Sequence, residues 1–293
     1  MATDYSKLPS FDELPKVEGM PQGCCWGLFD KNGKKDHLGC VNLLTPSVVQ
    51  AALKEATDGQ SVSLNWGIGA INTPGFGRKG LVHKVFDFSE GPFGLHGFDD
   101  EVEFNTQCSS QWDSLVHFAH QPSKKSYNGV MPSKDLLSQP FGQKDMEKAL
   151  PSLNHWHDRG GLVARGVLID YRAWADQKGI KYDCFDAHQI KISDIEEIAK
   201  WEGVEFKQGD VLIVRSGFTE ELGAMNAEQQ EKALGTHRTC GVEGTVEAAK
   251  WHWNKHFSGV AGDAIAYEQI PPIVDGKEAG IGELGKRSRR HDH

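Results

Sequence analysis

The stretch "GDVLIVRSGF", residues 209–218, contains a glycine, four consecutive apolar residues and then a polar segment. A short apolar run bounded by turn-forming residues predicts a strand that is buried in the interior of a sheet. The stretch "RGVLIDY", residues 165–171, repeats the pattern with a glycine before another apolar run. We therefore predict two buried strands in the second half of the chain.

Helical patterns alternate with these strands. The segment "ISDIEEIAKWEG", residues 192–203, has an apolar face, and Ser193 and Glu196 predict a capping box at its start. "GTVEAAKWHWNKHF", residues 244–257, predicts a second helix, and it leads into a third apolar segment, "SGVAGDAIAY", residues 258–267. Strand, helix, strand, helix and strand in this order predict an α/β fold.

The first half of the chain carries weaker signals. "LLTPSVVQAALKEATDG", residues 43–59, predicts a helix with Thr45 as its N-cap and Gly59 at its end. "SVSLNWGI", residues 61–68, is a strand candidate. Prolines 9, 15 and 21 block regular structure near the N-terminus. We expect an extended arm over residues 1–22, one domain over 23–284, and a basic, disordered tail over 285–293.

Composition limits the classes of function. The chain has 293 residues, enough for a large core, and a net charge of −9, which argues against nucleic acid or an anionic membrane as the main partner. No apolar run approaches the roughly 20 residues that span a bilayer, and the N-terminus lacks an apolar signal region. Its six cysteines are scattered, as is typical of reduced thiols. These features predict a cytoplasmic protein whose main partner is neither nucleic acid nor a membrane.

The segment "NTQCSSQWDSLVHFAHQ", residues 105–121, is too polar for an ordinary core strand. In an extended chain, every second side chain would leave from one face, and these are Gln107, Ser109, Gln111 and Asp113. With His117 four residues later, their donors could converge on a cation or on a polar substrate. A half-exposed polar strand that ends in a turn explains the same spacing, and spacing alone favours this alternative.

A resemblance changes the balance. Residues 107–117 resemble the signature H-x-G-T-H-x-D-x-x-x-H of the cyclase-like metal-dependent hydrolases, which include bacterial kynurenine formamidase, isatin hydrolase and certain dienelactone hydrolases. The spacing agrees throughout, while both early histidines are glutamines here. The similarity to the fungal and bacterial cyclase branch, in which a Q-x-x-x-Q-W-D version is usual, covers roughly residues 25–270. Its other segments include "DHLGCVNLLTPSVVQAA", "YNGV", "RGVLIDY", "GDVLIVRSGF", "GVEGTVEAAKW" and "FSGVAGDAIAYE".

The resemblance implies a compact α/β domain of the swivelling β/β/α type, assembled as a homodimer or homotetramer. It also implies a small-molecule substrate, an amide, lactam or lactone, that is hydrolysed by a water that a divalent metal activates. Carried over onto this sequence, Gln107, Gln111 and Asp113 occupy metal-ligand positions. His117 takes the place of the proton-transfer residue or of an additional ligand, so that Asp113 and His117 are the candidate catalytic residues.

The two glutamines alter the expected metal. Imidazole nitrogen suits zinc, whereas a carboxamide oxygen is a harder and weaker donor that suits manganese, magnesium or calcium. We expect one weakly held divalent cation, manganese or zinc with magnesium as a further option, and a protein without metal is the open alternative. Glu283 in "GIGEL" resembles a family glutamate and is a possible additional ligand, but the histidine-bearing helix that precedes it in the family is missing here.

Five further residues are candidates for substrate binding, each with a structural alternative. Trp26 and Trp112 could line a pocket or belong to the core. His120 could act as a second base or bond to the backbone, and Tyr127 lies in a turn that the family pattern brings near the pocket. Arg215, at the end of a predicted strand, could bind a substrate carboxylate or pair with a structural acid.

Three functions remain open at this stage. The first is a metal-assisted hydrolase with His117 as general base. The second is a metal-free cyclase, dehydratase or isomerase of secondary metabolism, in which His117 and Asp113 perform acid–base chemistry. The third is a small-molecule binding protein that has lost catalysis.

Overall fold

Short strands connected by helices and irregular segments make up the chain. The computed structural model describes residue 5 and residues 7–140, 150–274 and 276–278. Within them the strands are β1 (Val82–Asp87), β2 (Phe98–Glu103), β3 (Gly166–Asp170), β4 (Gln189–Ile190), β5 (Val211–Arg215), β6 (Gly241–Val242), β7 (Gly259–Gly262), β8 (Ile273–Val274) and β9 (Lys277–Glu278). The helices are α1 (Pro46–Leu53), α2 (Lys134–Leu137), α3 (Leu153–Asp158), α4 (Tyr171–Lys178), α5 (Ile192–Glu202), α6 (Phe218–Gly223), α7 (Ala227–Leu234) and α8 (Val246–Lys255).

The predicted buried strands form one parallel sheet in the order β3-β5-β7. One face of this sheet carries Ile169 and Leu212, which are fully buried against Ile195 and Ile198 of α5. Parallel strands need crossover connections, and the helices between them supply these. The α/β class and the three strands predicted in the second half of the chain are therefore confirmed.

Helix α5 is present where the apolar periodicity predicted it, but the predicted capping box at its start is wrong. The helix begins at Ile192, so Ser193 lies inside its first turn. The carboxylate of Asp194 accepts the backbone N–H of Lys191 at 3.2 Å instead. Glu196 accepts a hydrogen bond from Trp251 Nε1 at 2.7 Å and pairs with Lys255. Tertiary partners on α8 therefore use the side chain that sequence reasoning assigned to the cap.

The first half departs further from prediction. Thr45 caps α1 as expected, but the helix ends at Leu53, well before Gly59. Residues 61–68 were predicted as a strand, and this prediction is wrong. They form a mostly exposed irregular segment that pairs with no strand of the described chain. An antiparallel hairpin of β1 and β2, which the sequence did not predict, is the strand structure of this region.

The predicted N-terminal arm packs against the body of the protein. It contains a 3₁₀ turn, Phe11–Glu13, whose Phe11 side chain is buried. The Phe11 N–H donates to Asn254 Oδ1 at 2.8 Å, and Trp253 Nε1 donates to the Pro9 carbonyl at 2.9 Å. The predicted tail, residues 285–293, lies outside the described residues. Among the helices that the structure describes, none has the length and apolar character needed to cross a membrane.

Burial of histidines predicts how stability depends on pH. Burial is the main cause that lowers the pKa of four of them, His37, His188, His252 and His256. The ring of His252 is held in one neutral form. Its Nδ1 carries the proton and donates to the Ala248 carbonyl at 2.7 Å, because a carbonyl can only accept, and its Nε2 accepts from the Tyr267 hydroxyl at 2.7 Å.

A folded-state pKa below the unfolded value of about 6.5 means that the unfolded chain binds more protons below that pH. The contribution of these neutral histidines to the free energy of unfolding is therefore fully present above about pH 7. It is lost as the pH falls through the pKa of the unfolded state. We expect the melting temperature to fall steadily on acidification through this range. The slope should be smaller in His252→Asn and unchanged in His157→Ala, at an exposed histidine of α3. A flat profile would contradict this assignment.

Candidate functional site

The motif backbone is a 3₁₀ turn, an irregular segment over residues 109–114 and a second turn, rather than one extended strand. Thr106–Cys108 forms a 3₁₀ turn whose first N–H groups are capped by Asn105, which accepts from the Gln107 N–H at 2.9 Å. Ser109 Oγ donates to the Trp66 carbonyl at 2.7 Å, so this side chain is occupied by a neighbouring segment. Cys108 is fully buried. The predicted projection of four polar side chains from one extended face is therefore wrong.

Three motif side chains nevertheless come together. Gln111 Nε2 donates to Asp113 Oδ1 at 3.0 Å, and His117 Nδ1 lies 3.5 Å from the same oxygen. A turn makes this possible, because the His117 N–H donates to the Ser114 carbonyl at 3.0 Å and brings the imidazole back towards the carboxylate. The side chains of Asp113 and His117 are 54% and 47% exposed, so a water molecule or a small ligand can reach them.

The side chain of Trp112, the residue before Asp113, packs on the second face of the parallel sheet. Val260 of β7 packs towards the core, so Gly259 faces the other side. A Cβ built on Gly259 would lie 3.6 Å from the Trp112 ring, which shows how closely the indole covers the strand. Trp112 also meets Trp156 of α3 edge to face, with ring centroids 6.0 Å apart. The two indoles form an aromatic wall on this face of the sheet, and Trp112 is still 45% exposed.

Arg215 lies at the opposite end of the sheet. Gly259 is in the first row of paired residues and Arg215 is in the last row, four residues further along and about 13 Å away at 3.3 Å per residue. Its guanidinium donates to both oxygens of Asp170, at 2.8 and 3.0 Å, and pairs with Glu220. The structure does not bring Arg215 to the group around Asp113.

Trp26 and Tyr127 belong to a neighbouring polar cluster. Tyr127 Oη donates to Asp36 Oδ2 at 2.9 Å, and burial raises the pKa of this phenol. Asn128 is buried with a left-handed φ of 56°, and its side chain accepts from the Gly27 N–H at 2.7 Å. A Cβ on Gly129 would lie 3.8 Å from the Trp26 ring. The predicted turn at residues 127–129 is present and ties two distant segments together.

His120 lies in a turn of its own. Its backbone N–H donates to the Lys125 carbonyl at 2.9 Å, and its Nδ1 is 2.9 Å from Ser123 Oγ. Its Nε2 is buried and has no hydrogen-bond partner among the described residues. Gln107 lies in the 3₁₀ turn before the converging group, and Glu283 falls outside the described residues.

A histidine pair that sequence reasoning missed lies close to the motif. His37 Nδ1 is 2.9 Å from His155 Nε2. The same Nε2 of His155 also lies 2.9 Å from the Leu150 carbonyl. The carbonyl can only accept, so the Nε2 proton belongs to His155. The segment that carries His37 runs beside the motif, since a Cβ on Gly39 would lie 3.2 Å from Leu115. No spacing signal could reveal this pair, because 118 residues separate its members.

The donors around Asp113 suit a hard cation held weakly. Within the described part of the chain, no three or more histidine, cysteine, aspartate or glutamate side chains are arranged so that they could hold a metal ion. One carboxylate and one imidazole are close together, and the amide of Gln111 adjoins them. Carboxylate and amide oxygens suit manganese or magnesium better than zinc. The residues therefore fit a divalent cation of low affinity.

The other end of the sheet holds a small recess. Ser216 donates from its N–H and its hydroxyl to Asp263 Oδ1, at 2.6 and 2.7 Å. These residues line the recess together with Tyr267, and it has room for about one water molecule. Its polar groups are already paired, so this recess does not compete with the open group around Asp113 as a substrate site.

Comparisons with known proteins agree with this architecture. The family model described as "Putative cyclase" matches residues 34–269. A crystal structure of a novel cyclase matches with a TM-score of 0.65 and 24% sequence identity, covering 80% of this chain and 76% of that one. At that identity the match shows the fold. No curated protein matches the chain. Because the family model spans most of the chain and includes the motif at residues 107–117, the chain belongs to the cyclase family.

Proposed function

We propose that this protein is a hydrolase of the kynurenine formamidase-like branch of the family and that it cleaves a small amide, lactam or lactone. The observation that carries the proposal is the convergence of Gln111 and His117 on the carboxylate of Asp113, in a position open to solvent. A base, a group that orients it and an accessible side are what hydrolysis by an activated water requires.

The proposed roles follow from the hydrogen-bond geometry. If the 3.5 Å approach of His117 Nδ1 to Asp113 tightens to a hydrogen bond when substrate binds, it would hold the imidazole proton on Nδ1 and leave Nε2 as the base that takes a proton from water. The same imidazole then returns the proton to the leaving nitrogen or oxygen. Gln111 keeps the carboxylate in place through its 3.0 Å hydrogen bond. Catalysis by such a base contributes about 10²- to 10⁴-fold to the rate.

The cation belongs to this proposal as a weakly held partner. Asp113 and Gln111 would hold it, with Gln107 in the adjacent turn as a further donor, and His117 would keep Nε2 free as the base. When bound, a divalent cation lowers the pKa of water and polarises a carbonyl group. The indoles of Trp112 and Trp156 favour a flat substrate, because an aromatic wall binds planar groups and excludes water on one side.

A second candidate is metal-free acid–base catalysis, such as a cyclisation, dehydration or isomerisation. The direct approach of His117 to Asp113 supports it, because a base held by a carboxylate is sufficient for proton transfer. The two candidates share their residues and differ in whether a cation is needed.

Removal of metal separates the two candidates. The protein is stripped with EDTA and assayed in a pH-stat on N-formyl anilides, lactams and lactones, with manganese, magnesium or zinc added back. We expect hydrolysis to fall at least about 10-fold on stripping and to return best with manganese, because loss of one stabilising charge costs this much or more. Full turnover of a stripped protein would exclude the metal role and favour the second candidate.

The Asp113→Asn variant supplies a binding readout that needs no substrate. Manganese should raise the melting temperature of the wild-type protein, since a ligand that binds the folded state stabilises it. The rise should vanish in Asp113→Asn and persist in Asp58→Asn, a matched change at an exposed aspartate. An equal rise in all three proteins would place the cation elsewhere.

A further inference from the structure

Two cysteines from distant parts of the chain meet in the interior of the protein. Cys184 and Cys240 are both fully buried, and they belong to one apolar cluster with Phe185 and Phe218. Their thiols are in hydrogen-bonding contact, and Cys184 Sγ also lies 3.5 Å from the Ser216 carbonyl oxygen. The fold therefore holds two thiols against each other in a site that bulk water does not reach.

The backbone around this pair has the geometry that a disulfide requires. The Cys240 N–H donates to the Cys184 carbonyl at 3.0 Å. Residues joined by such a bond have Cα atoms about 5.5 Å apart, and disulfides join Cα atoms that are separated by about 4.4–6.8 Å. Because the two thiols also touch, a bond between their sulfur atoms requires no more than a rotation of the side chains.

The contact makes the two thiols chemically unequal. The pKa of Cys240 is lowered, chiefly because the Cys184 S–H donates to its sulfur, and the same hydrogen bond together with burial raises the pKa of Cys184. The thiolate, rather than the thiol, is the nucleophile. Cys240 is therefore the sulfur that attacks an oxidant, and Cys184 is the sulfur that reacts with the oxidised product.

Burial limits which oxidant can reach the pair. Both side chains are fully buried, so a bulky disulfide such as oxidised glutathione is too large to approach them. The small recess at the end of the sheet is lined by Ser216 and by Gly241, the residue after Cys240, and it has room for about one water molecule. A neutral oxidant little larger than water, such as hydrogen peroxide, is the class of molecule that fits.

We propose that Cys184 and Cys240 form a reversible oxidation site, at which hydrogen peroxide converts the reduced pair into a disulfide. The Cys240 sulfur attacks one peroxide oxygen, the O–O bond breaks, and the hydroxide that leaves takes up the proton of Cys240 to become water. Cys184 then attacks the sulfenic acid on Cys240, so that the S–S bond forms and the sulfenic oxygen leaves as a second water. The two thiols lose two electrons and two protons, and the peroxide gains them.

This inference rests on the thiol pair alone and does not depend on the reaction that the protein catalyses. Peptide mapping by mass spectrometry tests it on the full chain. The reduced protein is treated with hydrogen peroxide, its remaining thiols are alkylated, and its peptides are analysed. We expect a cross-link between Cys184 and Cys240 that dithiothreitol reverses. Oxidised glutathione should produce no such cross-link in the folded protein.

A thermal melt supplies a second readout. A cross-link that closes a long loop constrains the unfolded chain, so oxidation should raise the melting temperature by roughly 5–10 °C. The rise should be absent in Cys184→Ala and in Cys240→Ala. It should persist in Cys108→Ala, the matched control, because Cys108 is equally buried and lies outside the pair. Circular dichroism verifies that each variant folds.

The decisive measurement uses the wild-type protein, so it does not depend on how well the variants fold. Peroxide-treated wild-type protein without a link between Cys184 and Cys240 would overturn the proposal. A link that forms only after the protein has been unfolded would overturn it as well. Equal cross-linking of the folded protein by oxidised glutathione would contradict the assignment of a peroxide-sized oxidant.

Discussion

Replacement of His117 by alanine should lower kcat about 10²- to 10⁴-fold, which is what a general base contributes. The imidazole is half exposed, and it contacts Asp113 at 3.5 Å on one side only. Its removal should therefore change the free energy of unfolding by no more than about 0.5 kcal/mol. The measurement is initial-rate hydrolysis in a pH-stat, together with a thermal melt of the same preparation.

His157→Ala is the control for this loss, because it removes an exposed histidine from helix α3 and leaves the motif intact. It should keep the wild-type rate and melting temperature. A His117→Ala variant that retains the wild-type rate would remove His117 from the chemistry.

The largest single effect on stability is expected from Arg165→Met. Asp210 is nearly fully buried, with its side chain 3% exposed, and it receives a bidentate pair from Arg165, Nε to Oδ1 at 2.9 Å and Nη2 to Oδ2 at 2.7 Å. Methionine keeps much of the packing of the arginine stem but leaves the buried carboxylate without its cation. We expect a loss of about 3–5 kcal/mol of the free energy of unfolding.

Urea unfolding provides the measurement and its control. The midpoint should move to lower urea with little change in the slope, since the exposed area is unchanged. Lys178→Met removes one partner of the Lys178–Glu197 pair, whose side chains are about half exposed, and it should cost at most about 1 kcal/mol. A similar small cost for both variants would mean that the pair of Arg165 and Asp210 contributes no more than an ordinary surface ion pair.

The candidate site was predictable to the extent that its residues are close in the chain. Gln111, Asp113 and His117 lie within seven residues of each other, so their spacing already restricted where their side chains could meet. Their predicted geometry was an extended face, whereas the turn closed by the His117 N–H and the Ser114 carbonyl brings the imidazole to Asp113. Trp156 of α3 packs against Trp112 although it lies 44 residues later in the chain, and no pattern of spacing connects the two.

The same distinction explains the errors in the fold. Apolar runs identified β3, β5 and β7 because burial imposes a local composition on each strand. The hairpin of β1 and β2 was missed because polar and apolar residues are mixed on both of its faces, so its sequence shows no alternation to detect. Residues 61–68 have a strand-like alternation, but a strand also needs a neighbour, and no strand of the described chain pairs with them.

Local patterns in this chain were enough to predict the α/β class, the helices of the second half and a group of polar residues centred on Asp113. Each follows from periodicity or spacing over a few residues, where the covalent chain itself limits the geometry. Three features needed tertiary structure: the aromatic wall of Trp112 and Trp156, the pairing of His37 with His155, and the placement of Arg215 at the far end of the sheet. These contacts join segments that are tens of residues apart, and only the packing of the whole chain determines which of them meet.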